Sequence, residues 1–117
     1  MPTEQLDHII QQGADFEYIH EKEDISSSLI ADVSAVMTLR NGIGGSIAAT
    51  WSTANGLIEK SAHGNHIDFA IKIPAASTSL LSAPSSGVYD FDISYDGALG
   101  KWTIRNAEGS FYITPNI

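Results

Sequence analysis

Alternation with a period of two is the feature that most limits what this sequence can fold into. Ile67, Phe69, Ile71 and Ile73 are apolar, with Asp68, Ala70 and Lys72 between them. Successive side chains of an extended strand point to opposite faces, so such a run sets one face on a core and leaves the other wet. Tyr89, Phe91, Ile93 and Tyr95 repeat the pattern around Asp90, Asp92 and Ser94. So do Val33, Ala35, Met37 and Leu39, where Val36 is the exception, and shorter runs at Phe16/Tyr18, Trp102/Ile104 and Phe111/Ile113.

Between these runs stand segments of turn chemistry: NGIGG (41–45), ANG (54–56), HGN (63–65), SSG (85–87), DGALG (96–100) and AEG (107–109). Glycine makes positive φ cheap and Asn or Asp side chains mimic a turn, so each reads as a break between strands. Strands are expected over 6–10, 15–20, 30–40, 45–51, 57–61, 66–73, 88–95, 101–106 and 110–114. Turn signals every roughly 8–14 residues fit an antiparallel sandwich or small barrel. The segment PAASTSLLSAP (74–84) differs: it opens on Pro, contains helix formers and closes on Pro84. It predicts one short helical turn near 74–82, carrying the chain from one sheet to the other. The expected organisation is a single β-sandwich domain over 15–117. Residues 1–14 form either an N-terminal arm or the first strand of that domain. Leu6, Ile9 and Ile10 give this arm an apolar character suited to contacts in an assembly.

A chain of 117 residues can build its own core. With no cysteine, neither disulfides nor thiolate metal sites are open to it. Six Lys/Arg against fourteen Asp/Glu give a net charge of −8, which repels a phosphate backbone and argues against direct nucleic-acid contact. The N-terminus has no basic segment followed by an apolar one, so no secretory signal is expected. The most apolar stretch, LIADVSAVMTL, carries Asp32 and is far short of a membrane span.

Several constellations could carry chemistry. Asp90, Asp92 and Asp96 bring three carboxylates into seven residues. Strung along an extended strand, Asp90 and Asp92 share one face about 6–7 Å apart rather than converging as a hard cation requires. They read as a wet face paired with Lys or Arg on the next strand. His63-Gly-Asn-His66 offers two imidazoles three apart but no third ligand beside them, so they read as hairpin-tip residues. His8 and His20 read as exposed. No serine sits in a nucleophile elbow, and NGIGGS lacks the Lys-Ser/Thr and helix of a phosphate loop. Trp51 and Trp102 fall in phase with core residues, so burial is expected ahead of a sugar-stacking role. No catalytic residue, cofactor or metal is expected.

Beyond these patterns the chain resembles a known group. Ile73-Pro74-Ala75-Ala76, Thr78, Leu80, Gly87-Val88-Tyr89-Asp90-Phe91, Asp96-Gly97, Gly109 and Thr114-Pro115 carry the likeness, with QQGADF (11–16), MTLRN (37–41) and TANGLI (53–58) upstream. These resemble small Ig-like β-sandwich proteins encoded among the structural genes of tailed bacteriophages and prophages. EKEDISSSLIAD (21–32) departs from the group, lacking the Gly and Tyr of its polar hairpin. The resemblance implies an all-β, antiparallel Ig-like sandwich and a non-enzymatic virion component of the tail, baseplate, neck or tail-fibre region. Its implied partners are other virion proteins and further copies of itself in a symmetric assembly, with no direct nucleic-acid or membrane contact. It would be made in the host cytoplasm. Two other readings stand beside it: a head decoration protein, and a carbohydrate-binding module for host attachment.

Overall fold

A computed structural model describes residues 3–116. Strands β1 (Glu4–Gln5), β2 (His8–Gln11), β3 (Phe16–Lys22), β4 (Val33–Arg40), β5 (Ile47–Ser52), β6 (Ile58–His63), β7 (His66–Ile73), β8 (Ser85–Gly97) and β9 (Gly100–Thr114) form two sheets. The larger runs β1/β2-β9-β8-β4-β5 and the smaller β3-β7-β6. Their inner faces are the alternating residues. Ile67, Phe69, Ile71 and Ile73 of β7 are buried against Tyr89, Phe91, Ile93 and Tyr95 of β8. The Phe69 and Phe91 rings meet edge to face, 6.0 Å apart, at the middle of the core. The chain is therefore an all-β sandwich, as its periodicity predicts.

Between β7 and β8 the chain changes sheets through the expected helical turn, α1 (Ala75–Thr78). Thr78 anchors it. Its hydroxyl donates to the Ala14 carbonyl at 2.7 Å and accepts from the Gly13 N–H at 3.1 Å, with Gly13 in the left-handed region (φ 81°). Asp15 adds a carboxylate acceptor for the Ala75 N–H at 2.7 Å. The crossover is thus tied to the loop that joins β2 to β3.

The sandwich is not purely antiparallel. β1 and β2 run parallel to β9, with Glu4 opposite Ala107 and His8 to Gln11 opposite Phe111 to Thr114. The N-terminal segment is an edge strand of its own sheet. Ile10 is fully buried in the chain's own core, so it is not free for assembly contacts; Leu6 is half-buried and Ile9 points outward. Where β1 gives way to β2, three bonds hold the backbone. Leu6 N–H donates to the Glu108 carbonyl at 3.0 Å, Tyr89 Oη donates to the Leu6 carbonyl at 2.6 Å, and the Asp7 carboxylate accepts from the Ser110 N–H at 3.0 Å.

Two segments expected to be turns lie inside strands. At Gly87 a Cβ would run into the Arg40 carbonyl and the Phe111 ring; at Gly109 it would run into the Leu6 carbonyl. These glycines permit close backbone approach rather than reversal. The two strands expected over 101–106 and 110–114 are accordingly one, β9, bent where Asn106 forms a bulge between the Phe91/Ala107 and Asp92/Arg105 pairs. The start of the strand expected at 30–40 is instead a 3₁₀ helix over Ser27–Asp32, capped by the Ser26 side chain at the Ser28 N–H.

Candidate functional site

The outer face of the larger sheet holds the Asp90/Asp92 pair. Arg105 of β9 sits opposite Asp92 and bonds it at 3.2 Å through Nε, while reaching Asp90 at 3.6 Å and Glu108 at 4.0 Å. Partial burial, then the neighbouring Asp92 charge, raises the Asp90 carboxyl above its ordinary value, and Arg105 opposes this. One guanidinium thus serves three carboxylates across two strands, the cross-strand pairing that the alternation predicts. The carboxylates line a sheet face rather than two sides of a cleft, so this is an ion-pair ladder.

At the far end of the smaller sheet, Gly64 (φ 56°) and Asn65 turn β6 into β7, and His63 faces His66 across the hairpin. The sequence offered this pair no third ligand; the fold supplies two. Asp68 follows His66 by two residues and so shares its face, and Glu21 of β3 lies directly opposite Asp68. His63 Nε2 is 3.5 Å from Asp68 Oδ2, and His66 Nε2 is 3.6 Å from Asp68 Oδ1. His66 Nδ1 is 3.6 Å from Glu21 Oε1. One ligand atom each from Glu21, His66 and Asp68 lie within 4.8 Å of one another. The His66-x-Asp68 spacing on an alternating strand was the available signal; the contribution of Glu21 depended on strand pairing.

His8 and His20 are not exposed. Both are inward members of their strands, buried between the sheets among Phe16, Tyr18, Tyr89 and Phe91, with their own rings 5.6 Å apart. Neither finds a hydrogen-bond partner for Nε2, and His20 Nδ1 is unpartnered too, with Glu4 Oε1 at 3.5 Å. Burial pulls both down to about 4, the charge of His8 adding to the effect on His20 and Asp7 opposing it at His8. They are neutral core aromatics at pH 7 and unsuited to proton transfer with a substrate outside.

Trp51 is buried opposite Met37, as expected. Trp102 is only half-buried, although it faces inward and stacks on Tyr95 at 5.7 Å. The hairpin of β8 and β9 outruns the three-stranded sheet, leaving Trp102 and Ile104 beside a groove of about 310 Å³ with Lys22 and Asp24. Among the exposed large apolar residues, Ile9 and Tyr112 are directly opposite each other on β2 and β9, 70 % and 46 % exposed. They form one apolar rung at the open edge of the larger sheet.

No family model matches the chain, and no curated protein matches it. Among solved structures it is similar to AggA, the major subunit of aggregative adherence fimbriae type I from Escherichia coli. The match has 5 % identity over 94 % of this chain and 89 % of that one, with a TM-score of 0.39. That degree of overlap assigns neither a fold nor a role to this chain.

Proposed function

We propose that this chain is a non-enzymatic structural subunit that works through protein–protein contacts, and that it belongs to the virion of a tailed phage, in the tail, baseplate or neck. The Ile9–Tyr112 rung carries the assembly reading. Its outer member, Ile9, sits on the edge strand β2, whose second backbone edge has no strand partner among the described residues. An edge with free N–H and C=O groups beside exposed apolar side chains is a ready surface for another chain. The resemblance in sequence supplies the virion. Its partners on this reading are further copies and neighbouring virion proteins. Sedimentation of the purified chain over a range of concentrations tests the contact. The expected result is reversible self-association that Ile9→Lys with Tyr112→Lys removes while the folded signal stays intact. A wild-type chain that stays monomeric throughout, or a double variant that associates unchanged, overturns it.

A second reading is favoured by one observation, the half-exposed Trp102 beside its groove. An exposed indole can stack on a sugar ring, which would make the chain a carbohydrate-binding module for host attachment.

A further inference from the structure

We propose that the cleft between β3 and the β1–β9 edge receives a positively charged side chain, Lys or Arg, carried by an extended segment of a partner chain. Its lining includes neither Ile9 nor Tyr112, so this contact is separate from the apolar rung.

The buried His20 is the first support. Its side chain is 0 % exposed, yet neither ring nitrogen has a hydrogen-bond partner. Nδ1 lies 3.5 Å from Glu4 Oε1, and both residues line a cavity of about 330 Å³. Burial holds the ring neutral at pH 7, so one of its nitrogens is a lone-pair acceptor. A buried polar atom left unpaired costs free energy, and a donor entering through the cavity removes that cost. With the ring proton on Nε2, Nδ1 and the Glu4 carboxylate stand as two acceptors side by side. A cation with several N–H groups serves both.

The charge of the cleft is the second support. Glu21 and Glu23 join Glu4 on its walls, and no Lys or Arg lines it. Among the described residues Glu4 and Glu21 meet only histidines, His20 at 3.5 Å and His66 at 3.6 Å. Lys22, between Glu21 and Glu23 in sequence, donates from its ammonium to the Glu23 carbonyl at 2.6 Å and lines the Trp102 groove instead. A metal ion fits less well, because among the described residues no third carboxylate or imidazole joins Glu4 and His20 at ligand spacing. The head of a Lys or Arg side chain reaches separate acceptors and does not need them gathered into one shell. Tyr18 adds an aromatic wall, its ring 4.7 Å from that of His20, against which a cation is favourably held.

The segment that carries the cation has a place to lie. Among the described residues β3 is an edge strand of the smaller sheet, paired with β7 alone. On its other side the Glu21 carbonyl accepts from the Asn106 side-chain amide at 3.5 Å. In an antiparallel strand every second residue turns both backbone groups to the same side, so Ile19 presents its N–H and C=O there as well. Ile19 and Glu21 both line the cleft, and Ile19 is exposed. An extended partner segment can bond this edge and set one basic side chain between the glutamates.

The test titrates the full-length, tag-free, isotope-labelled chain at pH 7.5 and low salt with two blocked tripeptides, acetyl-Gly-Arg-Gly-amide and acetyl-Gly-Lys-Gly-amide, followed by NMR. The matching citrulline peptide, neutral and of nearly the same shape as the arginine one, is the control. The expected result is saturable shifts at the His20 ring nitrogens and the Ile19 and Glu21 amides with both basic peptides, and none with citrulline. Glu4→Gln should weaken binding about threefold, and His20→Phe about fivefold. Glu59→Gln, an exposed charge on β6 at the opposite edge of the smaller sheet, should leave it unchanged. Circular dichroism checks each fold; the Glu4 side chain is 54 % exposed, so Glu4→Gln decides the matter even where His20→Phe does not fold. Basic peptides that give no saturable shift, or a citrulline peptide that binds as well as the arginine one, overturn the site. Equal weakening by Glu59→Gln and Glu4→Gln makes the attraction a general effect of net charge and overturns it too. Zinc or calcium chloride that shifts the His20 nitrogens where the peptides do not makes the cleft a metal site instead.

Discussion

The carbonyl of Leu6 occupies the space that a Cβ on residue 109 would need, and Gly109 is what lets the N-terminal strand lie against β9. The Tyr89 hydroxyl and the Ser110 N–H complete the seat. Gly109→Ala should therefore push Leu6 outward and destabilise the domain by about 1–3 kcal/mol, the range for overpacking. Urea melts measure the loss, and faster hydrogen exchange at the Leu6 N–H locates it at the arm. A neutral substitution would mean that the arm is not seated as described.

Adjacent residues of β2 should respond in opposite ways. Ile10 is fully buried, so Ile10→Ala should cost about 2–5 kcal/mol. Ile9 is 70 % exposed, so Ile9→Lys should stay within about 0.5 kcal/mol in the isolated chain. Equal losses in urea melts would refute the register of β2 on β9.

Acid should destabilise the domain through its two buried histidines. Each has an ordinary value of 6.5 that the fold lowers to about 4. Between these values the unfolded chain binds more protons than the folded one, so stability falls as pH drops through this window. Above it neither state is protonated and the pH-dependent loss vanishes; below it the loss is complete. For two groups the loss is on the order of several kcal/mol. Asp7 near His8 works against it. Melting temperatures from pH 7 to pH 4 should decline steeply for wild type and less for His20→Phe. Identical slopes would show that the imidazoles are not the titrating groups.

The tryptophans should separate by quenching. Acrylamide should leave Trp51 largely untouched and reach Trp102. A Trp102→Phe variant should then show blue-shifted, poorly quenched emission, and Trp51→Phe the reverse. If the glycan reading holds, a host polysaccharide should saturably alter Trp102 emission; no response to host glycans favours the structural reading.

Much of this architecture was legible because burial on a strand has a period of two. The inward residues of β7 and β8, the wet face carrying Asp90 and Asp92, and the helical crossover at Ala75–Thr78 all follow from local pattern. Other features depended on long-range approach. Gly87 and Gly109 look like turn residues until Arg40 and Leu6 are brought onto them. His8 and His20 have polar side chains on inward positions, and only the meeting of β2 with β3 shows that they cover each other. Trp102 kept its expected face but lost its cover, because sheet length cannot be read from alternation. The same dependence hid Glu21 from the hairpin tip, since strand order had to be known before it met Asp68.

We propose that the chain joins its neighbours along the β2 edge as a structural subunit. A cryo-EM map of phage particles produced from a genome carrying this gene tests it most directly. The expected result is the sandwich as a repeated density in the tail, baseplate or neck, with Ile9 and Tyr112 covered by an adjoining chain. Particles that lack the protein, or that contain it with the Ile9–Tyr112 rung facing solvent in every copy, would contradict it.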